Sequence, residues 1–523
     1  MKNILLKLTI ALSLSSIIFS SCKKDKIATP VIASGSRSDL TKDSIFVYAK
    51  DVYLWNDALP TYEAFNPRKF NSLSSNLANF NAELFAISQI KINPVTNKPY
   101  EYSFDDPTSP KYSYIEDLVA SGKLIYNNSS ESSVGLDGEG DDFGYSLDLV
   151  GTNASYKIYF EYTSPGSPSA LAGLGRGDDI DEINGRKIGT NFSADQTFIN
   201  NAINANTISI AGLKTNGSRY SVTLNQTKYT SSPIYKDAIL TVGNKKVGYL
   251  AYARFSDSDN SEAALNNVFS KFATAGVSDL VIDLRYNGGG YVSTAEHLIN
   301  LIAPSSVNGK VMFSEAFNSS LQAGKTGILK NQPIRDQNGD YVYFNGRIAT
   351  YADESYTIAS NTFNFAKKGS LTNVSKVVFI TTDRTASASE LVINSLKPYV
   401  DVKIVGSTTY GKPVGFFPIR IDKYDVYMSM FSTTNSLGQG DYFAGFTPNS
   451  AKADDITRDF GNPAEISLSA ALSYINTGMF TSSSTSQTMS INGKSTSPTA
   501  LTIKEIYNPY SFKGMIHSPR RSR

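Results

Sequence analysis

One stretch, Thr381–Gly415, most constrains the fold that this chain can adopt. It follows the apolar run Lys376–Ile380, which is typical of a buried strand, and passes through a turn into a helical segment beginning near Ser387. A second apolar run, Val402–Val405, then leads into a loop that presents Lys412. Strand, helix and strand in succession predict an α/β layer with crossover connections.

The same stretch places a serine at a helix N-terminus and a lysine in a following loop, an arrangement suited to a serine nucleophile with a lysine general base. The chain has only two histidines, His297 and His517, and neither is well placed for a Ser-His-Asp triad. A free lysine, with a pKa of ~10.4, is protonated at neutral pH, but burial lowers such values by up to ~3–5 units. Apolar neighbours such as Phe416 favour such burial of Lys412.

Two short motifs carry a family resemblance. Thr385–Glu390 (TASASE) and Tyr410–Lys412 (YGK) resemble the carboxyl-terminal processing, or tail-specific, serine proteases. The resemblance implies that Ser387 is the nucleophile and Lys412 the base. The separation of 25 residues matches the family spacing and selects Ser387 rather than Ser389.

A glycine-rich turn lies upstream of the nucleophile segment. Leu280–Leu284 (LVIDL) reads as a strand and runs into Arg285–Gly290 (RYNGGG), which has neither glycine pattern of a nucleotide-binding loop. The turn resembles the glycine element of the same proteases. The resemblance implies an oxyanion hole in which Gly288 or Gly289 donates one backbone hydrogen bond and Ala388 the other, and glycine leaves room for the reacting carbonyl.

The sequence departs from the family pattern at Phe416. Many members carry a glutamine four residues after the lysine, where it helps to hold the amine. The orienting group is therefore absent here or supplied by another residue, and Ser389, Glu390 and Gln439 all remain candidates.

The segment before the core resembles a circularly permuted PDZ domain. Tyr156–Tyr162 alternates as a strand, and residues 166–188 (GSPSALAGLGRGDDIDEINGRKI) match the PDZ pattern in register. The resemblance implies that this domain either binds the substrate tail or braces and gates the active site. The implied carboxylate-binding loop and following strand contain Phe143, Gly144, Tyr145, Ser146 and Leu147.

The first 22 residues have a basic start and a short apolar core that ends before the sole cysteine, Cys22, and they resemble a bacterial lipoprotein signal. This resemblance implies acylation of Cys22 and lipid anchoring in the bacterial cell envelope, facing the periplasm or the cell surface. A plain secretory signal is the alternative. Thr481–Thr499 is rich in Ser and Thr and predicts a mobile linker or tail, while Asn308–Lys368 predicts surface strands and loops.

Composition limits the remaining functions. The chain has 49 basic and 47 acidic residues, so nothing favours a nucleic-acid partner. One cysteine and two histidines exclude an intramolecular disulfide and a zinc site of the usual Cys/His type, and no cofactor is indicated. A length of 523 residues indicates several domains.

We therefore expect an α+β multidomain protein with an N-terminal helical region, a PDZ-like β-rich domain and an α/β, crotonase-like protease core. The expected bounds are a signal peptide at 1–22, a tether at 23–38, a helical domain at 39–128, a PDZ-like domain at 129–230, a catalytic core at 231–478 and a tail at 479–523. The expected function is a Ser-Lys endopeptidase that cleaves exported proteins or peptides with free C-termini, near those ends. The alternatives are a non-catalytic lipoprotein that binds peptides or apolar ligands on the same fold, and a polysaccharide-binding surface lipoprotein.

Overall fold

The computed structural model describes residues 35–119, 134–336, 339–480, 502–507 and 514–517, the segment 502–507 by its backbone alone. The predicted signal segment with Cys22, most of the tether, and Thr481–Thr499 lie outside these residues. Within the described ranges, every helix is too short or too polar to cross a lipid bilayer.

The N-terminal region packs helices and short strands against the core. Its first helix is capped by Ser36, whose hydroxyl accepts the Asp39 N–H at 3.1 Å. The elements are α1 Arg37–Val52, α2 Tyr62–Phe65, α3 Asn76–Ser88, β1 Ile92–Asn93, β2 Lys98–Pro99 and β3 Tyr114–Asp117.

The segment predicted to be PDZ-like has a hydrophobic core of its own, built by alternate residues of its strands and by one helix. The helix begins at Phe192, where the Asn191 side chain caps it. The elements are β4 Glu139–Asp142, β5 Tyr145–Thr152, β6 Ser155–Thr163, α4 Pro168–Leu171, β7 Asp179–Ile180, β8 Glu182–Ile183, β9 Arg186–Lys187, α5 Phe192–Ile203, β10 Thr207–Leu213, β11 Arg219–Asn225 and β12 Thr227–Thr230.

The remaining elements form the core and two short C-terminal strands. The first half of the core contains β13 Ile234–Val242, β14 Lys245–Tyr252, α6 Ser258–Ala275, β15 Asp279–Asp283, β16 Gly289–Tyr291, α7 Val292–Ile302, β17 Val311–Phe317, α8 Ser319–Gln322, β18 Tyr343–Phe344, β19 Arg347–Ile348 and β20 Thr362–Asn364. The second half and the C-terminal strands are β21 Lys376–Thr381, α9 Ala388–Leu396, β22 Asp401–Gly406, β23 Val414–Gly415, β24 Ile419–Ile421, β25 Tyr424–Tyr427, β26 Phe431–Asn435, β27 Ser450–Ala451, α10 Ile466–Thr477, β28 Thr502–Tyr507 and β29 Gly514–Ile516.

A six-stranded sheet organises the core in the order β13-β14-β15-β21-β22-β27. All neighbouring pairs from β14 to β27 are parallel, and β13 is the antiparallel edge strand. The predicted α/β layer is confirmed, and so is the mixed α and β multidomain fold. Since parallel strands end on the same side of a sheet, the segments after β15, β21 and β22 meet at one edge.

Two smaller sheets join distant parts of the chain. β3 of the N-terminal region pairs with β25, which ties that region to the core. The second sheet has the order β20-β17-β26-β23 and corrects one prediction. Asn308–Lys368 was expected to lie at the surface, but β17 occupies an inner position of this sheet, and its Met312 and Phe313 are fully buried. The short apolar runs of this region concealed a buried strand because β17 also carries polar residues.

The C-terminal tail contains strands that its composition did not predict. β28 pairs with β5, and β29 pairs with β16, at two separate places in the molecule. These pairings depend on backbone hydrogen bonds, which a Ser/Thr-rich composition does not prevent.

Candidate active site

Ser387 lies at the turn between β21 and α9, at the edge where the parallel strands end. Its backbone has φ 60° and ψ −111°, an uncommon conformation for a residue with a side chain. The turn is fixed by hydrogen bonds to the glycine-rich loop, from the Thr385 hydroxyl to the Leu284 carbonyl at 2.7 Å and from the Ala386 N–H to the Asn287 carbonyl at 3.1 Å. Ser387 is fully buried, and its Oγ has no hydrogen-bond partner among the described residues. A buried hydroxyl without a hydrogen-bond partner is unusual in folded proteins and is a feature of reactive sites.

Glu390 joins the serine and lysine segments. Its Oε2 accepts the Ser387 N–H at 2.9 Å and the Lys412 N–H at 2.8 Å. Its Oε1 accepts the Gly411 N–H at 2.8 Å and the Thr409 hydroxyl at 2.5 Å. Burial raises the pKa of Glu390 above its ordinary value, against the lowering effect of these four hydrogen bonds. One carboxylate therefore holds the backbones of both predicted catalytic residues.

Lys412 is 1% exposed and lies among aromatic groups. Its Nζ is 4.4 Å from the centre of the Phe416 ring and 3.4 Å from the carbonyl oxygen of Tyr112. The Tyr112 hydroxyl also donates to the Gly411 carbonyl at 2.6 Å, and Lys111 Nζ donates to the same carbonyl at 3.2 Å. The N-terminal region thus supports the lysine loop. The sequence analysis did not assign Lys111 or Tyr112 to the site.

The glycine-rich loop lies against the nucleophile turn. A methyl group built on Gly289, which has φ +109°, would be 3.0 Å from the Ser387 Cβ. The Gly289 N–H already donates to the Asn287 side chain at 2.9 Å. Ala388 is the first residue of α9, so its N–H has no acceptor within the helix. The Gly289 N–H is therefore already bonded within the loop, whereas the Ala388 N–H has no acceptor in its helix.

The other orienting candidates lie elsewhere. The Ser389 hydroxyl donates to the Asn287 carbonyl at 2.9 Å and braces the glycine loop. Gln439 accepts hydrogen bonds from the side chains of Asn435 and of Asn394, and Asn394 lies on α9. No described hydrogen bond joins Gln439 to Lys412. Neither histidine contacts Ser387: His297 bonds to Asn266, and His517 bonds to Glu315.

The predicted tail-binding loop lies at the start of β5. The side chains of Phe143, Tyr145 and Leu147 are buried in the core of their own domain, so only their backbone can meet a ligand. The Gly144 N–H donates to the Asp142 side chain at 2.7 Å, and the Ser146 hydroxyl donates to Glu161 at 2.8 Å.

Glu161 links that loop to the nucleophile turn. Its Oε2 accepts from the Ser146 hydroxyl and, at 2.9 Å, from Arg384 Nη1, and Arg384 lies three residues before Ser387. The neighbouring Arg176 donates to the Glu161 carbonyl at 2.9 Å and to the Tyr286 hydroxyl at 2.5 Å in the glycine-rich segment. The two domains are thus joined by buried charged groups at the active site.

Comparison with known proteins agrees with this geometry. Residues 246–436 match the family model described as Peptidase family S41. Over these residues the core of this chain is similar to peptidase family S41. This match includes the glycine-rich loop, Ser387 and Lys412.

Two curated relatives are processing proteases. The chain is 28% identical over 196 residues to the chloroplastic C-terminal processing peptidase of Tetradesmus obliquus, across 37% of this chain and 32% of the relative. It is 25% identical over 256 residues to the carboxy-terminal-processing protease of Bartonella bacilliformis, across 47% of this chain and 46% of the relative. The chain thus spans less than half the length of these curated relatives.

The fold also resembles a solved structure of a Bacteroides fragilis protein assigned to the S41 proteases. The TM-score is 0.52 with 21% identity, across 83% of this chain and 96% of the other. Among the described residues, no group of three or more His, Cys, Asp or Glu side chains is arranged to hold a metal ion.

Proposed function

We propose that the protein is a serine endopeptidase in which Ser387 is the nucleophile and Lys412 the general base. The observation that carries this proposal is the joint anchoring of both residues on Glu390 Oε2, at 2.9 and 2.8 Å. Residues 25 positions apart in the sequence are thereby fixed at one point, beside a glycine loop that can approach a carbonyl closely. Proximity and orientation of this kind supply a large part of enzymatic rate enhancement.

The proposed chemistry follows from these groups. Lys412 Nζ takes the hydroxyl proton as Ser387 Oγ attacks the peptide carbonyl, and the N–H groups of Gly288 and Ala388 bind the resulting oxyanion. The lysine then returns the proton to the leaving amine, and water releases the acyl group by the reverse sequence of proton transfers. Desolvation favours the neutral amine that this role requires, and the ring of Phe416 excludes water where many relatives carry a glutamine.

The decisive experiment measures cleavage of an unstructured protein with an apolar C-terminus, by mass spectrometry. Ser387→Ala and Lys412→Met should each reduce the rate by at least about 10³-fold. Ser395→Ala is a matched control, since Ser395 is also fully buried with an Oγ that lacks a described partner. Lys367→Met is the second control, because Lys367 donates to backbone carbonyls at the end of α7 and not at the site. Equal rates in all four variants would refute the dyad.

The relatives suggest which part of the substrate is cut. Both are named for processing C-termini, and we infer that this chain likewise cuts exported proteins or peptides near free C-termini. A PDZ-like domain binds such ends by adding the peptide as a strand to a sheet edge. Products mapped by mass spectrometry should therefore lack a short C-terminal fragment, and cuts spread evenly along the substrate would contradict this specificity.

We further propose that the PDZ-like domain gates the catalytic turn. The Ser146–Glu161–Arg384 contacts give a direct physical route from the peptide-binding loop to the segment before Ser387. A ligand that displaces Ser146 would change the partners of Glu161 and hence the position of Arg384.

The location in the cell remains a proposal from the N-terminal sequence. Acylation of Cys22 would hold the enzyme on a membrane of the cell envelope through a lipid anchor. Cys22→Ser should release the protein from the membrane fraction, and unchanged membrane association would contradict the proposal.

A further inference from the structure

The C-terminal segment of this chain lies on both surfaces that a substrate would use. β28 adds to the free edge of the sheet β5-β6-β7, antiparallel to β5. In this register Thr502 is opposite Gly151 and Tyr507 is opposite Leu147. The segment therefore runs towards the predicted carboxylate-binding loop, in the orientation of a peptide added to a PDZ edge.

β29 lies in the catalytic cleft itself. It is parallel to β16 with Gly514 opposite Gly289, and the Gly514 N–H donates to the Gly288 carbonyl at 3.0 Å. On its other side, the Phe416 N–H donates to the Met515 carbonyl and the His517 N–H to the Phe416 carbonyl, both at 3.0 Å. The segment is thus bonded between the oxyanion loop and the residue that covers Lys412.

This strand passes immediately beside the nucleophile. The methyl group built on Gly289 would be 2.2 Å from the Gly514 carbonyl oxygen and 3.0 Å from the Ser387 Cβ. Any side chain at position 289 would therefore push the strand out of the cleft, and glycine permits the close approach. A second extended peptide cannot occupy this position while β29 is present.

The last described residue fills a specific pocket. His517 Nδ1 is 2.9 Å from Glu315 Oε2, and the imidazole lies 5.7 Å from the ring centres of Phe317 and Phe431. Glu315 is fully buried, and its Oε1 has no hydrogen-bond partner among the described residues. A buried carboxyl group of this kind favours a ligand that brings a hydrogen-bond donor. Met515 and Ile516, which precede His517, are buried as well.

We propose that residues 502–507 and 514–517 are intramolecular ligands of the PDZ-like edge and of the catalytic cleft, respectively, and that an external substrate must displace them. Inhibition of cleavage by the segment rests on the proposed protease function, whereas the presence of the segment in the cleft does not. Covalent attachment after α10 gives the segment an effective concentration of about millimolar, so that modest contacts suffice. The pocket further indicates that a competing peptide carries a small residue beside Ser387, two apolar residues, and then an imidazole or cationic side chain at Glu315.

The test uses the full-length chain with Met515→Glu, which places a charge in the buried cleft. Met489→Glu is the matched control in the same tail, outside the described residues. In a Ser387→Ala background, amide hydrogen exchange should show 514–517 protected, with protection lost on Met515→Glu and kept on Met489→Glu. His517→Ala is a second variant, which removes the donor to Glu315 and the packing against Phe317 and Phe431 and should weaken the protection.

Cleavage of an external unstructured protein is the second measurement. With an active Ser387, Met515→Glu should raise kcat/KM by about 10-fold, as expected when about nine-tenths of the molecules are occupied. If the amides of residues 514–517 exchange freely in the Ser387→Ala chain, the segment does not occupy the cleft and this part of the proposal is wrong. Equal rates for Met515→Glu and Met489→Glu would overturn the inhibition.

The two proposals fail in different ways. Protection of 514–517 in a chain that cleaves nothing would refute the protease function and leave the intramolecular ligand standing. If the active chain is found shortened near Gly514 while Ser387→Ala is intact, the segment is a substrate and the inhibitory proposal is overturned.

Discussion

Glu390 and Glu315 are both completely buried, yet their carboxylates are satisfied to different degrees. Glu390 accepts four hydrogen bonds from its own turn and from the lysine loop, all within the catalytic core. Glu315 bonds to His517 of the C-terminal tail, and its other oxygen lacks a partner among the described residues. A fully satisfied buried acid fixes a structure, whereas an incompletely satisfied one provides a place for a ligand.

The largest effect should come from Glu390→Gln. Whichever carboxylate oxygen is replaced by the amide nitrogen, at least one backbone N–H then faces a donor instead of an acceptor, so the free energy of unfolding should fall by about 2–4 kcal/mol. The rate of cleavage should fall by at least about 10²-fold, because the Ser387 and Lys412 backbones lose their common anchor.

Glu315→Gln is the matched control for this comparison. Its amide still offers an oxygen to His517, so the free energy of unfolding should change by less than about 1 kcal/mol. Urea unfolding of both variants measures the difference. Equal losses of stability would show that the two glutamates play the same structural role.

A smaller effect is expected for Glu161→Gln, which weakens the separate contacts of Glu161 with Ser146 and with Arg384. Loss of one charge-assisted hydrogen bond should lower kcat by about 10-fold while KM changes little, since the nucleophile turn and not the cleft is affected. Glu182→Gln is the control in the same domain, because Glu182 makes only a 3.9 Å contact with Arg219. A change in KM alone would argue that Glu161 shapes the peptide site instead of the turn.

The smallest and most pH-dependent effect concerns Glu83, another fully buried glutamate, on α3. Neither of its oxygens has a hydrogen-bond partner among the described residues, and burial raises its pKa well above the ordinary value. With a folded-state pKa above the unfolded one, the stabilising contribution is present below about pH 4.3 and is lost as the pH rises through the folded-state value.

Glu83→Met should therefore gain stability relative to the wild type as the pH rises, reaching about 1 kcal/mol at neutral pH. Urea unfolding at pH 4, 6 and 8 measures this dependence. A difference that stays constant with pH would contradict a raised pKa.

The sequence predicted the features that depend on local pattern. Apolar runs located β15, β21 and β22, and the segment beginning near Ser387 was recognised as a helix. The strand–turn–helix order also indicated that Lys412 would lie near Ser387, whereas the glycine turn was assigned to the site only by the family resemblance.

Only the tertiary structure identified the supporting contacts. From the sequence, Ser389, Glu390 and Gln439 were all candidates for the group that orients the lysine. Of these three, only Glu390 bonds to the backbones of both Ser387 and Lys412. Tyr112 reaches Gly411 across about 300 positions of the chain, and no local pattern encodes such a contact. The strands at 502–507 and 514–516 escaped notice for a related reason. Their pairing depends on open sheet edges elsewhere in the molecule, and those edges exist only once the domains have folded.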